Sequence, residues 1–389
     1  MRLELPVVLG WARSAVVPVA GAFSQLAVHE IGAPIVRALL QRHGVPAGAV
    51  DSLVCGNALA AGGNPARMIG LAAGLPDATT AYSIDTQCCA GLDAVAIGAG
   101  LVATGQAEIV VAGGAEAWSR APIRHHRPRS PGEDPVPYER PAFAPDRDRD
   151  PDLTIAAARH AAEVKIARVE QDAFAIQSHA RAFAAREHMA AEIVLLNGMR
   201  YDPYVRKLSA QQAARIPVAA TCESAGADLD PRTTAVSRLS ISPKADGAAF
   251  VLLASRQAAK ALGITPKLQW RGCISVGGKP EMPMLAATRA AEAVLARHDL
   301  GPSALWGVEL HDAFAVQALA FAKAMNFRPD RMNRAGGGLA RGHPIGASGA
   351  ISLVRLLADM AHEAPVSAVG LVAIAAAGGL GTSALIERI

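Results

Sequence analysis

The sequence predicts an α/β protein in which helices and sheets form layers. Short segments rich in aliphatic and β-branched residues alternate along the chain with longer Ala-rich segments of helical spacing. Hydrophobic residues make up 51% of the chain and aromatic residues only 4%, and 36 residues are Gly. Small side chains therefore have to pack the helices closely onto the sheets.

The strand predictions follow the aliphatic segments in chain order. They are Pro6–Trp11, Ser52–Cys55, Glu108–Ala112, Ala248–Ala254, Leu268–Ser275, Trp306–His311, Gly370–Ala375 and Thr382–Glu387. The helix predictions follow the Ala-rich segments between them. They are Ile31–His43, Gly91–Thr104, Asp172–His188, Met284–His298, Ala313–Met325 and Ser348–His362.

The composition excludes several classes of protein. The 389 residues suffice for two domains or one large duplicated domain. No apolar run reaches the length of a membrane span without an interrupting Gly, Pro or charge. The net charge of +4 is too small to indicate nucleic acid. We therefore expect neither a membrane nor a nucleic acid as a partner.

The cysteines and the first residues predict a cytoplasmic protein. The five cysteines are an odd number without paired spacing, which predicts free thiols in a reducing compartment and no metal site. Residues 1–23 carry Glu4 and Arg13 and have no convincing cleavage pattern, so we interpret them as a first strand and loop rather than a signal peptide.

A faint internal repeat relates the two halves of the chain. In the first half, Ala90-Gly91 begins a helix that leads to a strand ending at residues 112–114. In the second half, residues 346–349 begin a helix that leads to a strand ending at residues 377–379. Two facing copies of one βα unit would bring both turns to one interface, where helix N-termini favour an anion. Gly-rich turns also recur in α/β proteins without a repeat.

The composition changes abruptly between Ser119 and Asp152. Arg, Pro, His and Asp dominate this segment, and its hydrophobic periodicity disappears. The change predicts a loop-rich excursion from the layered core. The segment is either a solvated surface or a place where Arg side chains face an anionic ligand.

The pattern with the clearest chemistry joins Cys88 to His343. Cys88 stands before a small-residue turn and a helix, and His343 lies far downstream in a turn fixed by Gly342 and Pro344. The thiolate is the reactive form of Cys, and it needs a base and a positive environment to form near neutral pH. This Cys/His pattern is typical of acyl transfer.

Several motifs together resemble the thiolase family over essentially the whole chain. Asp85–Leu92 is similar to the family's nucleophile motif, with Asp85 in place of the usual Asn. His311-Asp312 is similar to the motif of the sterol-carrier-protein-linked branch. Further stretches that resemble family motifs are Ala12–Phe23, Val111–Glu116, Glu170–Asp172, Ser178–His179, Asp246–Ala249 and Asn333–Gly337.

The resemblance implies a fold and an assembly. The fold is two βαβαβαββ halves stacked as five layers (α-β-α-β-α), with a loop domain inserted in the first half. On this chain the first half would span residues 1–118, completed by 246–265, the loop domain 119–245, and the second half 266–389. The assembly would be a homodimer or homotetramer.

The resemblance also implies the residues of the site and its substrate, an acyl-CoA or related thioester, with no bound cofactor. Cys88 would be the acylated nucleophile, His343 its base, and His311 a partner of the thioester oxygen. The backbone N–H groups of Cys88 and Ala377 would form an oxyanion hole, where each donor is worth about 3–4 kcal/mol. The pantetheine arm would lie against Ser242, Ala313 and Phe314.

The chain departs from the family at its last motif, Cys-x-Gly-Gly-Gly. Residues 375–379 read Ala-Ala-Ala-Gly-Gly, so Ala375 replaces the Cys that moves protons in the second half-reaction, and no Cys follows Cys273. Such acid–base help typically supplies about 10²–10⁴-fold in rate. The family's His-Met-Gly stretch is also replaced, by residues 152–154, which leaves a carrier-protein thioester open as the substrate.

Three functions remain open. The first is a thiolase-like acyltransferase that forms an acyl-enzyme on Cys88 and then makes or breaks a carbon–carbon bond or passes the acyl group to another nucleophile. The second is a decarboxylative condensing enzyme with a Cys-His-His set, which makes its carbanion by losing CO₂. The third is a non-catalytic subunit that binds thioesters.

Overall fold

The computed structural model describes residues 4–60, 62–222 and 230–389. Its strands, in chain order, are β1 (Val7–Arg13), β2 (Val17–Pro18), β3 (Ser52–Gly56), β4 (Thr80–Ile84), β5 (Ile109–Glu116), β6 (Arg124–His126), β7 (Val136–Tyr138), β8 (Val218–Ala220), β9 (Val236–Ser237), β10 (Ala245–Ala254), β11 (Leu268–Gly277), β12 (Leu305–Leu310), β13 (Val369–Ala376) and β14 (Leu380–Arg388).

The helices are named in the same way. They are α1 (Val28–Arg42), α2 (Pro65–Ala73), α3 (Ala90–Ala103), α4 (Leu153–Val164), α5 (Arg168–Met189), α6 (Ala210–Ala214), α7 (Arg256–Ala261), α8 (Ala286–Arg297), α9 (Ala315–Ala324), α10 (Gly338–Arg341) and α11 (Ser348–Glu363).

The strand order reveals a duplicated sheet. The order in the first half is β1-β10-β5-β3-β4, and the second half repeats it as β11-β14-β13-β12. A single parallel bridge from Val308 to Met332 stands where the first half has β4. The two sheets join through antiparallel pairing of Val7 and Val8 with Gln269 and Leu268. This is the predicted βαβαβαββ duplication.

Three hydrophobic clusters separate five layers. On one outer face, α1 and α2 pack on the first sheet, and on the other, α8 and α9 pack on the second. The central cluster holds α3 and α11 between the two sheets and buries side chains such as Val95 and Val354 completely. The α-β-α-β-α order agrees with the predicted fold.

The beginnings of α3 and α11 approach each other closely because Gly occupies the contacts. A Cβ at Gly91 would lie 2.7 Å from the carbonyl oxygen of Gly346, and one at Gly349 would lie 2.8 Å from the Cβ of Leu92. Neither distance is sterically possible without a backbone shift. The two small-residue turns of the internal repeat therefore meet, as the repeat predicted.

All eight predicted strands and six predicted helices are present, with ends that differ by a few residues. The predicted strand end at residues 112–114 is wrong, since β5 continues to Glu116 between β3 and β10. Gly113 is needed inside the strand because a Cβ there would lie 2.0 Å from the carbonyl oxygen of Ala249. The sequence patterns did not predict α2, β4 or α4.

The segment from Ser119 to Asp152 contains only the β6–β7 hairpin and short 3₁₀ turns, as its composition predicted. Of the predicted first strand and loop, residues 1–3 lie outside the described residues, and so do residues 223–229 of the predicted loop domain. The domain boundaries at 118, 245 and 265 stay predictions. Within the part of the chain described, no helix is long and apolar enough to span a membrane.

Candidate active site

Cys88 lies on a tight turn between β4 and α3. Residues 87–89 form a 3₁₀ turn, and Gln87 adopts a left-handed conformation (φ 57°) that non-Gly residues rarely occupy. The carboxylate of Asp85 accepts a hydrogen bond from the backbone N–H of Gln87 at 3.0 Å and supports this turn. The next thiol, Cys89, points away into the core, where its Sγ lies 3.7 Å from the carbonyl oxygen of Ile374.

His343 reaches Cys88 across the interface between the two halves. Its Nε2 lies 3.1 Å from the Sγ of Cys88, and its Nδ1 lies 2.7 Å from the Oγ of Ser348. The hydroxyl of Ser348 donates its proton to the carbonyl oxygen of Pro344 at 2.9 Å. Because that hydroxyl has one proton only, its oxygen must accept from Nδ1–H. Nε2 is then the unprotonated nitrogen, facing the thiol.

Burial keeps both members of this pair neutral at rest. It raises the pKa of Cys88 to about 12. The backbone N–H groups of Ala377 and Cys88 favour the thiolate and therefore act in the opposite direction. Burial also lowers the pKa of His343 to about 4. Near neutral pH the proton therefore stays on sulfur, and the imidazole is free to accept it when the sulfur attacks.

His311 stands beside this pair, just after β12. Its backbone N–H donates to the carbonyl oxygen of Ala373 at 3.0 Å, and its ring centroid lies 4.3 Å from that of His343. Burial, and next the nearby His343, lower the pKa of His311 well below its usual value. Within the described ranges, its Nε2 has no hydrogen-bond partner.

Ala375 lies near the end of β13, and Ala377 begins the turn between β13 and β14. Gly378 and Gly379 take left-handed conformations there (φ 75° and 79°), which turn the chain sharply after β13. A Cβ at Gly378 would lie 3.1 Å from the carbonyl oxygen of Phe143, so the loop-rich segment packs against this turn. The methyl group of Ala375 faces the cavity described next.

One pocket reaches Cys88, with a volume of about 510 Å³ that includes its open mouth. Its lining is Cys88, Leu153, Ile241, Ser242, Pro283, Met284, Ala313, Phe314, Gln317, His343, Ala375, Ala376 and Ala377. The pocket brings together every predicted site residue except His311, which is absent from the lining.

Ser242 is fixed on the wall of this pocket. Its backbone N–H donates to the carbonyl oxygen of Ala313 at 2.9 Å, and its hydroxyl donates to that of Gly338 at 2.8 Å. The bridge between Ile241 and Phe314 extends the same contact. The three predicted substrate-binding residues therefore belong to one rigid wall.

The sequence motifs contained supporting residues whose roles they did not reveal. The carboxylate of Glu116 accepts from Asn57 Nδ2 at 2.7 Å and from the backbone N–H groups of Ala58 and Gly346 at 3.0 Å. Burial raises its pKa to about 7, against those N–H groups. Glu116 thus ties the turn that carries His343 to the first sheet. The sequence showed that Glu116 belongs to a motif, but its hydrogen-bond partners lie in segments distant along the chain.

The described residues do not bring three or more His, Cys, Asp or Glu side chains together as a metal site. The Arg side chains of the loop-rich segment are absent from the pocket lining as well. Arg140 pairs with Asp150, and Arg149 lies 3.3 Å from Glu281. An anionic ligand for this segment stays a prediction.

Comparison with known proteins agrees with this fold. Residues 6–257 match the model of the thiolase N-terminal domain, and residues 264–388 match that of the thiolase C-terminal domain. The chain belongs to the thiolase family.

Particular relatives cover nearly the whole chain. An acetyl-CoA acetyltransferase of Rhizobium meliloti is 34% identical, over 98% of each chain. A thiolase of Ascaris suum, solved in complex with coenzyme A, matches with a TM-score of 0.88 and 25% identity, over 99% of this chain and 100% of its own. An acetyl-CoA acetyltransferase of Bacillus anthracis matches with the same TM-score and 26% identity, over the full length of both.

Proposed function

We propose that this protein transfers an acyl group from a coenzyme A thioester through an acyl-enzyme formed on Cys88. The observation that carries the proposal is the 3.1 Å contact between the Sγ of Cys88 and the Nε2 of His343 at the end of a pocket. The names of the similar proteins, acetyl-CoA acetyltransferases, and the coenzyme A in one similar structure support the choice of thioester.

In the first half-reaction Cys88 attacks the thioester. Its proton passes to Nε2 of His343 as the sulfur bonds to the carbonyl carbon, and the carbonyl oxygen becomes an oxyanion. In this mechanism the backbone N–H groups of Cys88 and Ala377, which both favour negative charge at the sulfur, also donate hydrogen bonds to that oxyanion. The carbon–sulfur bond to coenzyme A then breaks, and the leaving thiolate takes the proton from His343.

In the second half-reaction an acceptor takes the acyl group. An acceptor with an O–H, N–H or S–H group gives its proton to His343 as it attacks, and the sulfur of Cys88 leaves and recovers that proton. A carbon acceptor needs a separate base at its α-carbon. The methyl group of Ala375 has no lone pair to take that proton, so we propose that unactivated carbon acceptors react slowly.

A decarboxylating acceptor is the second candidate, and the two neutral histidines beside Cys88 favour it. The rings of His311 and His343 lie 4.3 Å apart, and Nε2 of His311 has no partner among the described residues. When a malonyl-type thioester loses CO₂, the carbon–carbon bond that breaks supplies the carbanion directly. No α-proton then has to be removed, which fits an Ala at position 375.

Intact-protein mass spectrometry after incubation with a panel of acyl-CoA thioesters tests the proposal. We expect one acyl adduct per chain on the wild type and none on Cys88→Ala. Release of CO₂ from malonyl-CoA would select the decarboxylative candidate. Binding of thioesters without any adduct would contradict catalysis and leave the non-catalytic subunit as the function.

Three further expectations about the chain stay proposals. We propose that the chain assembles as a homodimer or homotetramer, which sedimentation equilibrium would measure. We propose cytoplasmic localisation, which cell fractionation would measure. We propose the division into a first half (1–118 with 246–265), a loop domain (119–245) and a second half (266–389), which limited proteolysis would test.

A further inference from the structure

A second cavity opens at the far end of α11 from Cys88. Its volume is about 1540 Å³, open mouth included, and it shares no lining residue with the pocket at Cys88. Ser348 begins α11 beside His343, and Ala361 lies near the other end of this helix in the cavity wall. At about 1.5 Å per residue, the two positions are roughly 20 Å apart. The cavity is therefore a separate place on the molecule.

One part of the cavity wall is apolar. Strand β1 contributes Val8 and Leu9, which are buried, and the half-buried indole of Trp11. Ile264 and Ala361, also half-buried, continue this surface. A ligand that covers these side chains gains about 25 cal/mol for each Å² of apolar surface that it removes from water.

The rest of the wall carries positive charge. Arg42 and Lys267 both line the cavity and are exposed to solvent. The guanidinium of Arg42 donates to the backbone carbonyl oxygens of Ala191 and Ile193 at 3.2 and 3.1 Å, which leaves its charge unneutralised. Among the residues that the structure describes, neither cation forms an ion pair with a carboxylate. The polar side of the wall is completed by three histidines, His43, His188 and His362.

The two carboxylates of the cavity are already paired with other cations. Glu192 bridges the buried guanidinium groups of Arg13 and Arg355. Glu187 lies 3.4 Å from Arg186. The charges of Arg42 and Lys267 therefore stay available to an anion, while the nearby carboxylates oppose a second negative charge. The wall favours a monoanion over a dianionic phosphate.

We propose that this cavity binds a small amphipathic monoanion, a fatty carboxylate whose chain lies against Trp11 and whose head group faces Arg42 and Lys267. Such a ligand matches the apolar and the positive parts of the wall at once. Because the cavity shares no residue with the pocket at Cys88, this site does not depend on the proposed function.

Calorimetry with octanoate, 1-octanol and acetate separates the contribution of the charge from that of the chain. We expect octanoate to bind about tenfold more tightly than 1-octanol, which lacks the charge. It should bind at least about 100-fold more tightly than acetate, which lacks most of the methylene groups. Lys267→Glu should weaken the binding of octanoate about tenfold and leave that of 1-octanol unchanged. Lys260→Glu is the matched control, because Lys260 is exposed on α7 outside the cavity wall and its replacement should keep the affinity for octanoate.

NMR of the indole N–H groups shows where octanoate binds. The chain has four Trp residues, and the spectrum of Trp11→Phe identifies the signal of Trp11. We expect octanoate to shift this signal with the midpoint that calorimetry gives. Octanoate that binds without moving the Trp11 signal, as it would in the pocket at Cys88, would overturn the proposal. Equal affinities for octanoate and 1-octanol, or an affinity for octanoate that Lys267→Glu leaves unchanged, would also overturn it.

Discussion

Replacing Ser348 by Ala should slow acylation of Cys88 although Ser348 does not contact the sulfur. Its Oγ accepts from Nδ1–H of His343 at 2.7 Å while donating to Pro344. Removing it leaves a buried N–H unpaired, at a cost of about 1–3 kcal/mol. The cost is greatest when the ring becomes positively charged during attack, because hydrogen bonds from charged donors are stronger. We therefore expect acylation to slow by about 10–100-fold, at about 1.4 kcal/mol for each factor of ten.

The assay is the rate of acyl adduct formation by time-resolved mass spectrometry with one thioester at saturating concentration. Ser352→Ala is the matched control. Ser352 is 1% exposed on the next turn of α11, and its replacement by Ala removes the same hydroxyl group from a buried position. Nitrogen NMR of His343 gives a second measure, because wild type should carry its proton on Nδ1 and Ser348→Ala a mixture of tautomers. Equal rates for Ser348→Ala and Ser352→Ala would refute the tautomer argument.

Three other predictions concern activity at the site and the stability of the fold. Ala375→Cys should raise thiolysis of acetoacetyl-CoA by about 10²-fold or more, the lower end of what a placed acid–base group supplies; unchanged activity would mean that other parts of the site also differ. The pKa of His343 is lowered from 6.5 to about 4 by burial, so between these values the unfolded chain binds a proton that the folded chain does not. The free energy of unfolding should therefore fall by about 3 kcal/mol as the pH drops from above 6.5 to 4, and denaturant titrations should show a smaller fall for His343→Asn. Arg13 is fully buried between Glu192 and Asp202, at 2.6 and 2.8 Å. Arg13→Met should cost about 3–5 kcal/mol in the same titrations, because the buried carboxylate of Asp202 loses its ion-pair partner and that of Glu192 keeps only Arg355; a cost below 1 kcal/mol would contradict that.

Local signals in the sequence predicted the layered fold, and the resemblance to the thiolase family predicted the pocket residues Ser242, Ala313, Phe314 and Ala377. Aliphatic and Ala-rich segments mark buried strands and helices directly. The strand Thr80–Ile84 was not predicted, because it lies at the edge of the sheet and several of its residues are exposed. Its short, mixed pattern carries little of the periodicity that marks a buried element.

The finer parts of the site depend on contacts between distant segments. Ser348 and Glu116 both stood inside motifs, but their hydrogen bonds to His343 and Gly346 follow only once the two halves face each other. His311 was predicted to touch the thioester oxygen, and its absence from the pocket lining leaves that role a prediction.

Locating the acyl group within the chain tests the central claim most directly. Tandem mass spectrometry of peptides from the acylated protein distinguishes Cys88 from the adjacent Cys89. We predict the acyl group on Cys88, whose sulfur faces His343, and none on Cys89, whose sulfur faces the carbonyl oxygen of Ile374. An acyl group on Cys89, or on Cys88 at the same rate after His343→Asn, would contradict the account.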